Sequence, residues 1–302
     1  MMNQTDTDIS KFGTILYNEP LSNYNTWRVG GPAKRLFKPH DIQGLQGFLR
    51  ALPSEEPILW LGLGSNSLIS DQGFNGTVIL TQGCLKHIEL IGEHQVRAEA
   101  GVSCAQLARF CSRNGLVNGE FWAGIPGTFG GALRMNAGCY QSETWEFVTE
   151  VETMDRYGEI HRRYPQEFKI DYRAVQGLSE GSEWFISGIC QLPHGDAQQS
   201  LQKIKELLAR RAATQPTGEY NCGSVFRNPP GDYAARLIES CGLKGKRIGG
   251  AQISLKHANF IINENADAKA QDICELIAFV QETVKEKYDI HLVQEVHKIE
   301  DK

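Results

Sequence analysis

The chain has 302 residues, 41% hydrophobic and 22% charged, with a formal net charge of -5. That make-up suits a soluble globular protein with room for two or three domains, and the acid excess argues against a broad nucleic-acid or lipid-binding surface, leaving room only for a local basic pocket. The opening "MMNQTDTDIS" lacks the apolar core of a signal peptide and no apolar run reaches membrane-spanning length, so a cytoplasmic protein with no membrane insertion is expected.

Residues 1–20 read as a loose lead-in. In "DIQGLQGFLRAL", Ile42, Leu45, Phe48 and Leu49 share one helical face, and Asp41 is placed to cap it. "PILWLGLGSNSLISD" reads as a buried strand, a glycine turn and a second apolar run, and "TVIL" as a further strand. "VRAEAGVSCAQLARFCSRNGL" gives a strand, then a helix capped by Ser103 and stopped at Gly115. Short strands are predicted around "VTEVETMD", "GEIHRRY" and "EWFISGICQL". The texture changes near 195–210. There "SLQKIKELLARRAATQP" is a helix ended by Pro216, and "GDYAARLIESCGLKG" a short helix with Asp232 before it and Gly242 at its C′ position. "DAKAQDICELIAFVQETVKEKYDI" is the longest helix, with Ile273, Leu276, Ile277, Val280 and Val284 on its apolar face. Short strands with interspersed helices make this an α+β chain. The eight cysteines include no CxxC pair and no zinc spacing with histidine, so reduced thiols and no metal site are expected.

Two stretches are rich in glycine and hydroxyls: "GLGSNS", Gly62 to Ser67, and "GIPGTFGG", Gly124 to Gly131. Glycine permits positive φ and close approach of a ligand to the main chain, and successive free N–H groups make an anion nest. Tight turns are the bland alternative. Neither stretch is a dinucleotide fingerprint, since Ser67 stands where GxGxxG needs glycine, and no P-loop occurs. Two such turns about 60 residues apart suit one bound diphosphate, with Ser65, Asn66 and Thr128 adding side-chain hydrogen bonds.

"NTWRVGG" (25–31), "LGLGSNSLISD" (61–71), "AGIPGTFGGALRMNAG" (123–138), "YR" (172–173), "GSVFRNP" (223–229), "LIESCGLKG" (237–245), "KHANFIIN" (256–263) and "VQEV" (293–296) follow one another in that order. Together they resemble the UDP-N-acetylenolpyruvoylglucosamine reductases, over about residues 22 to 297. The resemblance implies an FAD-binding fold of the vanillyl-alcohol-oxidase type, in two subdomains at 21–80 and 81–200, followed by an α+β substrate-binding domain at 201–302. It implies noncovalent FAD, NADPH as hydride donor, UDP-N-acetylglucosamine enolpyruvate as substrate and a role in peptidoglycan precursor synthesis; a monomer is expected. The short segment from Arg173 to Trp184 fits the family's type II branch.

By the same resemblance the cofactor lies against Asn25, Thr26, Gly62, Gly64, Ser65, Asn66, Ser67, Leu68, Gly124, Ile125, Pro126, Gly127, Thr128, Gly130, Asn136, Ala137 and Gly138. Ser224 matches the proton donor, Glu295 a glutamate that stabilises the enolic intermediate as a carboxylic acid, and Arg173 an arginine that polarises the substrate carboxylate. Tyr140, Asn228, Lys244 and His257 match substrate positions. On residues alone a Gly-Ser pair is usually a turn and an arginine a surface charge. The alternation in "IHLVQEVHKI" puts Glu295 on the face of Val293, which favours burial. Lys244 in "GLKGKR" suits either a diphosphate or a helix C-terminus. The chain departs from the family pattern at Leu63, Phe129, Gln141, Val175 and Glu300. Two other readings use the same glycine turns: an FAD-linked oxidase of the same fold, and a non-catalytic flavin-binding homologue.

Overall fold

The structure, a computed structural model, describes residues 9–300. It divides into two compact units that are discontinuous in sequence. The first holds the described residues up to Tyr17 with Arg35–Leu63 and Gly76–Ala209, and the second holds Asn18–Lys34, Gly64–Asn75 and the described residues from Arg210 on.

The first unit is organised by two sheets. A four-stranded sheet has the order Gly13–Pro20, Pro32–Pro39, Phe74–Leu80, Ile58–Leu61, its last two strands parallel. The helix Ile42–Ala51 forms because Asp41 accepts from Gly44 N at its start and Leu45, Phe48 and Leu49 face inward. Phe48 stacks on Phe37 there. The lead-in expected over residues 1–20 is a strand from Gly13 on; its first eight residues lie outside those described.

The second sheet has five strands in the order Ile160–Arg163, Val148–Asp155, Glu183–Gln191, Gln95–Glu99, Ile88–Ile91. The helices Cys104–Arg113 and Phe129–Met135 share its apolar core. A capping box between Ser103 and Gln106 starts the first of these, and Gly115, at φ +71°, follows its last turn. Gly188 leaves the sheet face open for Phe129: a Cβ at Gly188 would lie 3.1 Å from that ring. Among the described residues none of the eight cysteines is in a disulfide.

The second unit centres on the helix Ala270–Tyr288, whose buried Ile273, Leu276, Ile277, Val280 and Val284 match the apolar face expected for it. A four-stranded sheet lies in the order Tyr220–Asn221, Ile261–Asn263, Ala251–Ile253, Arg247–Ile248. Asp71, far away in sequence, accepts from Ala270 N and Gln271 N at the helix start. Trp27 explains why residues 18–34 pack here: it is fully buried, donates its indole N–H to Ile261 O at 2.7 Å, and its carbonyl accepts from Asn263 Nδ2 at 2.8 Å. Segment 64–75 enters by pairing Ser67–Ile69 in parallel with His297–Ile299. Residues 21–34 and 64–75, read from sequence with the first flavin-binding subdomain, group in the second unit with the C-terminal part of the chain.

Candidate active site

In the first unit the start of the first glycine stretch meets the second stretch. Gly62 lies so close to Thr128 that a Cβ would stand 2.5 Å from the threonine hydroxyl oxygen. The second stretch is more structured than its glycine content suggests. Glu120–Gly124 is a 3-10 turn, Thr128 caps the helix Phe129–Met135 by accepting from Gly131 N, and Asn136 ends that helix at φ +42°. An open anion nest, expected over Gly124 to Gly131, does not form. The N–H groups of Ile125, Gly127, Phe129 and Gly130 donate to the carbonyls of Trp122, Ile125, Val102 and Ala100. Glycine is needed at 130 for packing, since a Cβ there would lie 2.7 Å from that of Ala100.

Asn136 is buried and its side chain works inside the turn. Its Oδ1 accepts from Trp145 N at 3.1 Å, and its Nδ2 donates to Glu143 at 2.7 Å and to Asp171 O at 3.3 Å. Arg173 closes the same turn from outside. Its guanidinium donates to Gly138 O at 2.6 Å and Asn136 O at 3.3 Å, lies 3.4 Å from Glu143, and stacks over Tyr172. The "NAG" that ends the glycine run is thus a left-handed turn held by an arginine fork. Tyr140 and Gln141 follow, both at positive φ, between Gly138–Cys139 and the antiparallel Ser142–Glu143. This is the type I′ pattern, built here without glycine or asparagine. Tyr140 donates its hydroxyl to Leu207 O at 2.8 Å.

In the second unit Gly64 sits at φ +67°, and a Cβ would strike Tyr24 O and Asn25 Cα, so only glycine fits. Asn25 spends its side chain on Leu21 O and Val29 O, and Thr26 N reaches Gly64 O at 3.4 Å. Cys222 joins this loop to the strand end before Ser224: its Sγ lies 3.5 Å from Thr26 Oγ1, 3.6 Å from Gly64 O and 3.7 Å from Ser67 O. Burial pushes that thiol up to about 12, so it is an inert donor rather than a nucleophile.

Ser224 follows Gly223, which stands at φ +73° in a turn where Asn221 Oδ1 accepts its N–H. Ser224 is half-buried, and its hydroxyl makes no hydrogen bond to the described residues. Glu295 lies on the adjoining segment, with its N–H donating to Val225 O at 2.8 Å and its carbonyl accepting from Asn66 Nδ2 at 3.1 Å. Asn66, expected at the cofactor, thus supports the backbone that carries Glu295. The face expected from the alternation is reversed, because Leu292 and Val296 are buried while Val293 is 52% exposed and Glu295 half-buried. The chain forms regular strand only over His297–Ile299, so period-two reasoning does not reach back to Val293.

The charge of Lys244 is felt at the His257 imidazole. Burial, assisted by Lys244, holds the His257 pKa below its usual value, so the ring is neutral near pH 7. Its Nδ1 accepts from Asn259 N at 3.3 Å. Lys244 pairs with Glu239 at 2.7 Å, and Asn228 accepts from Ala234 N at the start of the helix Ala234–Ser240. Two residues were not singled out by sequence: Cys222, and Asn259, a buried asparagine between the buried Ala258 and Phe260. A polar side chain between apolar neighbours is the signal for Asn259, because such a group must find hydrogen-bond partners inside.

Neither glycine stretch carries a carboxylate, and in the first unit the contact of Gly62 with Thr128 brings main chain of both stretches together. This set fits a diphosphate-bearing cofactor approached closely by main chain. Comparisons with known proteins agree. The family model for the C-terminal domain of UDP-N-acetylenolpyruvoylglucosamine reductase matches residues 215–299, and an FAD binding domain model matches residues 33–163. The chain is 64% identical over 289 residues to UDP-N-acetylenolpyruvoylglucosamine reductase of Legionella pneumophila (strain Paris), covering 96% of this chain and 95% of that protein. It is 53% identical over 285 residues to the enzyme of that name from Alkalilimnicola ehrlichii, covering 94% of each. Among solved structures, UDP-N-acetylenolpyruvylglucosamine reductase from Thermus caldophilus superposes with a TM-score of 0.80 at 32% identity, covering 95% of this chain and 99% of that one.

Proposed function

The chain belongs to the UDP-N-acetylenolpyruvoylglucosamine reductase family, and from that premise we propose which residues carry the reaction. The reaction is the NADPH-dependent reduction of UDP-N-acetylglucosamine enolpyruvate to UDP-N-acetylmuramate, in peptidoglycan precursor synthesis. Bound FAD supplies the hydride transfer, between NADPH and the vinyl carbon of the enolpyruvyl group.

Addition of hydride to that carbon drives the double-bond electrons toward the carboxylate, and the adjacent carbon then needs a proton. Ser224 gives it. A serine hydroxyl is a weak acid, so the step relies on a strongly basic enolate and on tight placement. Glu295 stabilises the enolic intermediate as a carboxylic acid, and Arg173 polarises the substrate carboxylate with a fork already oriented by the 136–138 turn. Asn25, Thr26, Gly62, the segment Gly64 to Leu68, the segment Gly124 to Thr128, Gly130 and the turn Asn136 to Gly138 hold FAD. Tyr140, Asn228, Lys244 and His257 hold the rest of the substrate, with Lys244 exchanging Glu239 for the diphosphate. The protein works as a cytoplasmic monomer; among the described residues its cysteines form no disulfide, which suits a reducing compartment, and no helix is long and apolar enough to cross a membrane.

The observation that carries this assignment is the half-buried Ser224 hydroxyl, without a hydrogen-bond partner among the described residues, on a segment bonded to the backbone of Glu295. Stopped-flow absorbance under anaerobic conditions tests it. Ser224→Ala should leave flavin bleaching by NADPH near wild type and slow reoxidation by substrate at least about 100-fold. Equal loss in both half-reactions would remove Ser224 from the proton step.

A further inference from the structure

Ser224 and Glu295 lie on two extended segments that pair only briefly. Glu295 N donates to Val225 O at 2.8 Å, Arg227 N to Val293 O at 2.9 Å, and Phe226 bridges to Gln294. One residue, Asn259, serves the other edge of the serine-bearing segment. Its main-chain carbonyl accepts from Val225 N at 2.9 Å. Its side-chain Oδ1 accepts from Phe226 N at 3.0 Å, and its Nδ2 donates to Phe226 O at 2.8 Å. A carboxamide offers one acceptor and one donor at the spacing of a peptide group, so the side chain acts as a one-residue strand partner. Asn259 is 4% exposed, Phe226 2% and Val225 0%, so no water competes for these bonds.

We infer that Asn259 is a positioning residue for the reduction: it sets the height and register of the backbone that presents Ser224 on one side and receives Glu295 on the other. The inference rests on the reading of Ser224 and Glu295 as the residues that handle the enolic intermediate. Without the carboxamide, Phe226 N–H and C=O lose their partners in a dry site and the segment must shift to regain them. A displacement of about 1 Å at a proton donor costs on the order of 100-fold in rate. Binding and reduction of the flavin depend on other segments and should be spared.

The test uses the holoenzyme and reads both half-reactions per bound flavin, so that an unfolded fraction does not contribute. In Asn259→Ala, bleaching by NADPH should keep its wild-type rate while the limiting rate of reoxidation at saturating substrate falls about 10- to 100-fold. Asn259→Asp, which keeps the acceptor for Phe226 N and loses the donor to Phe226 O, should slow the same step. It decides the matter if the alanine variant fails to retain flavin. Wild-type reoxidation in either flavin-bearing variant overturns the inference. So do parallel losses in both half-reactions, or loss of flavin from both variants, since each would assign Asn259 to the fold at large. Ser224→Ala run alongside separates the two ideas: if it slows reoxidation and the Asn259 variants do not, Asn259 alone is misassigned. If Ser224→Ala has no selective effect, the serine reading fails and the positioning role falls with it.

Discussion

Replacing Arg173 removes a charged fork from a site where its side chain is only 16% exposed. The guanidinium holds Gly138 O at 2.6 Å, Asn136 O at 3.3 Å and Glu143 at 3.4 Å. Hydrogen bonds to a charged group contribute about 1.5–3 kcal/mol each. The short bond counts in full and the two long ones for a fraction, so Arg173→Ala should cost about 2–4 kcal/mol. The backbone adds a second handle, because Arg173 sits at φ +54°. That conformation costs a residue with a Cβ about 1–2 kcal/mol, and glycine avoids it while giving back about 0.4–1 kcal/mol through its freer unfolded chain. Arg173→Gly should therefore be more stable than Arg173→Ala by about 0.5–1 kcal/mol, although it deletes one more carbon. Urea unfolding of the flavin-free protein reads both effects as midpoint shifts at constant slope. An alanine variant as stable as wild type would refute the fork's role in holding the turn. A glycine variant less stable than the alanine one would refute the backbone argument.

Two further outcomes are expected. Gln141→Gly should stabilise the protein by about 0.5–1 kcal/mol, because Gln141 occupies φ +68° in a type I′ turn where glycine is at ease; a lowered urea midpoint would contradict it. Glu120 is 2% exposed and accepts from Ser200 Oγ at 2.6 Å and Lys203 at 3.2 Å. Burial opposes its ionisation, but these bonds outweigh burial and hold its pKa below the usual carboxylate range. Its stabilisation is therefore present above about pH 4.3, the unfolded value, and is lost as pH falls through the lower folded value. Glu120→Gln should flatten that acid limb in a series of urea midpoints between about pH 3 and 7; an unchanged limb would place the acid sensitivity elsewhere.

Much of the local structure was legible because short-range physics decides it. Asp41 and Ser103 cap the helices expected of them, Gly115 and Gly242 stand at positive φ just beyond helix ends, and the apolar face of the longest helix is the buried one. Each of these depends on residues within a few positions of one another. The ordered motifs pointed to the family for a related reason: glycines that tolerate no Cβ, such as Gly64, leave an imprint that chance does not reproduce in series.

What neighbouring residues do not contain was decided by packing. Glycine-rich composition hid the helix Phe129–Met135, which forms because Thr128 caps it and its apolar side fills the core that Gly188 leaves open. The inward side of the segment around Glu295 was misjudged because main-chain bonds to Val225 and Asn66, rather than an alternating strand, set its twist. Unit membership was likewise invisible in chain order. Residues 18–34 go where Trp27 can bury its ring and satisfy its N–H, more than 200 positions further along the chain. By itself the sequence determined the elements, the family and the chemistry its residues can offer. Only the tertiary structure decided which backbone holds each of those residues in place, because a buried polar group such as Asn259 takes its partners from wherever the fold brings them.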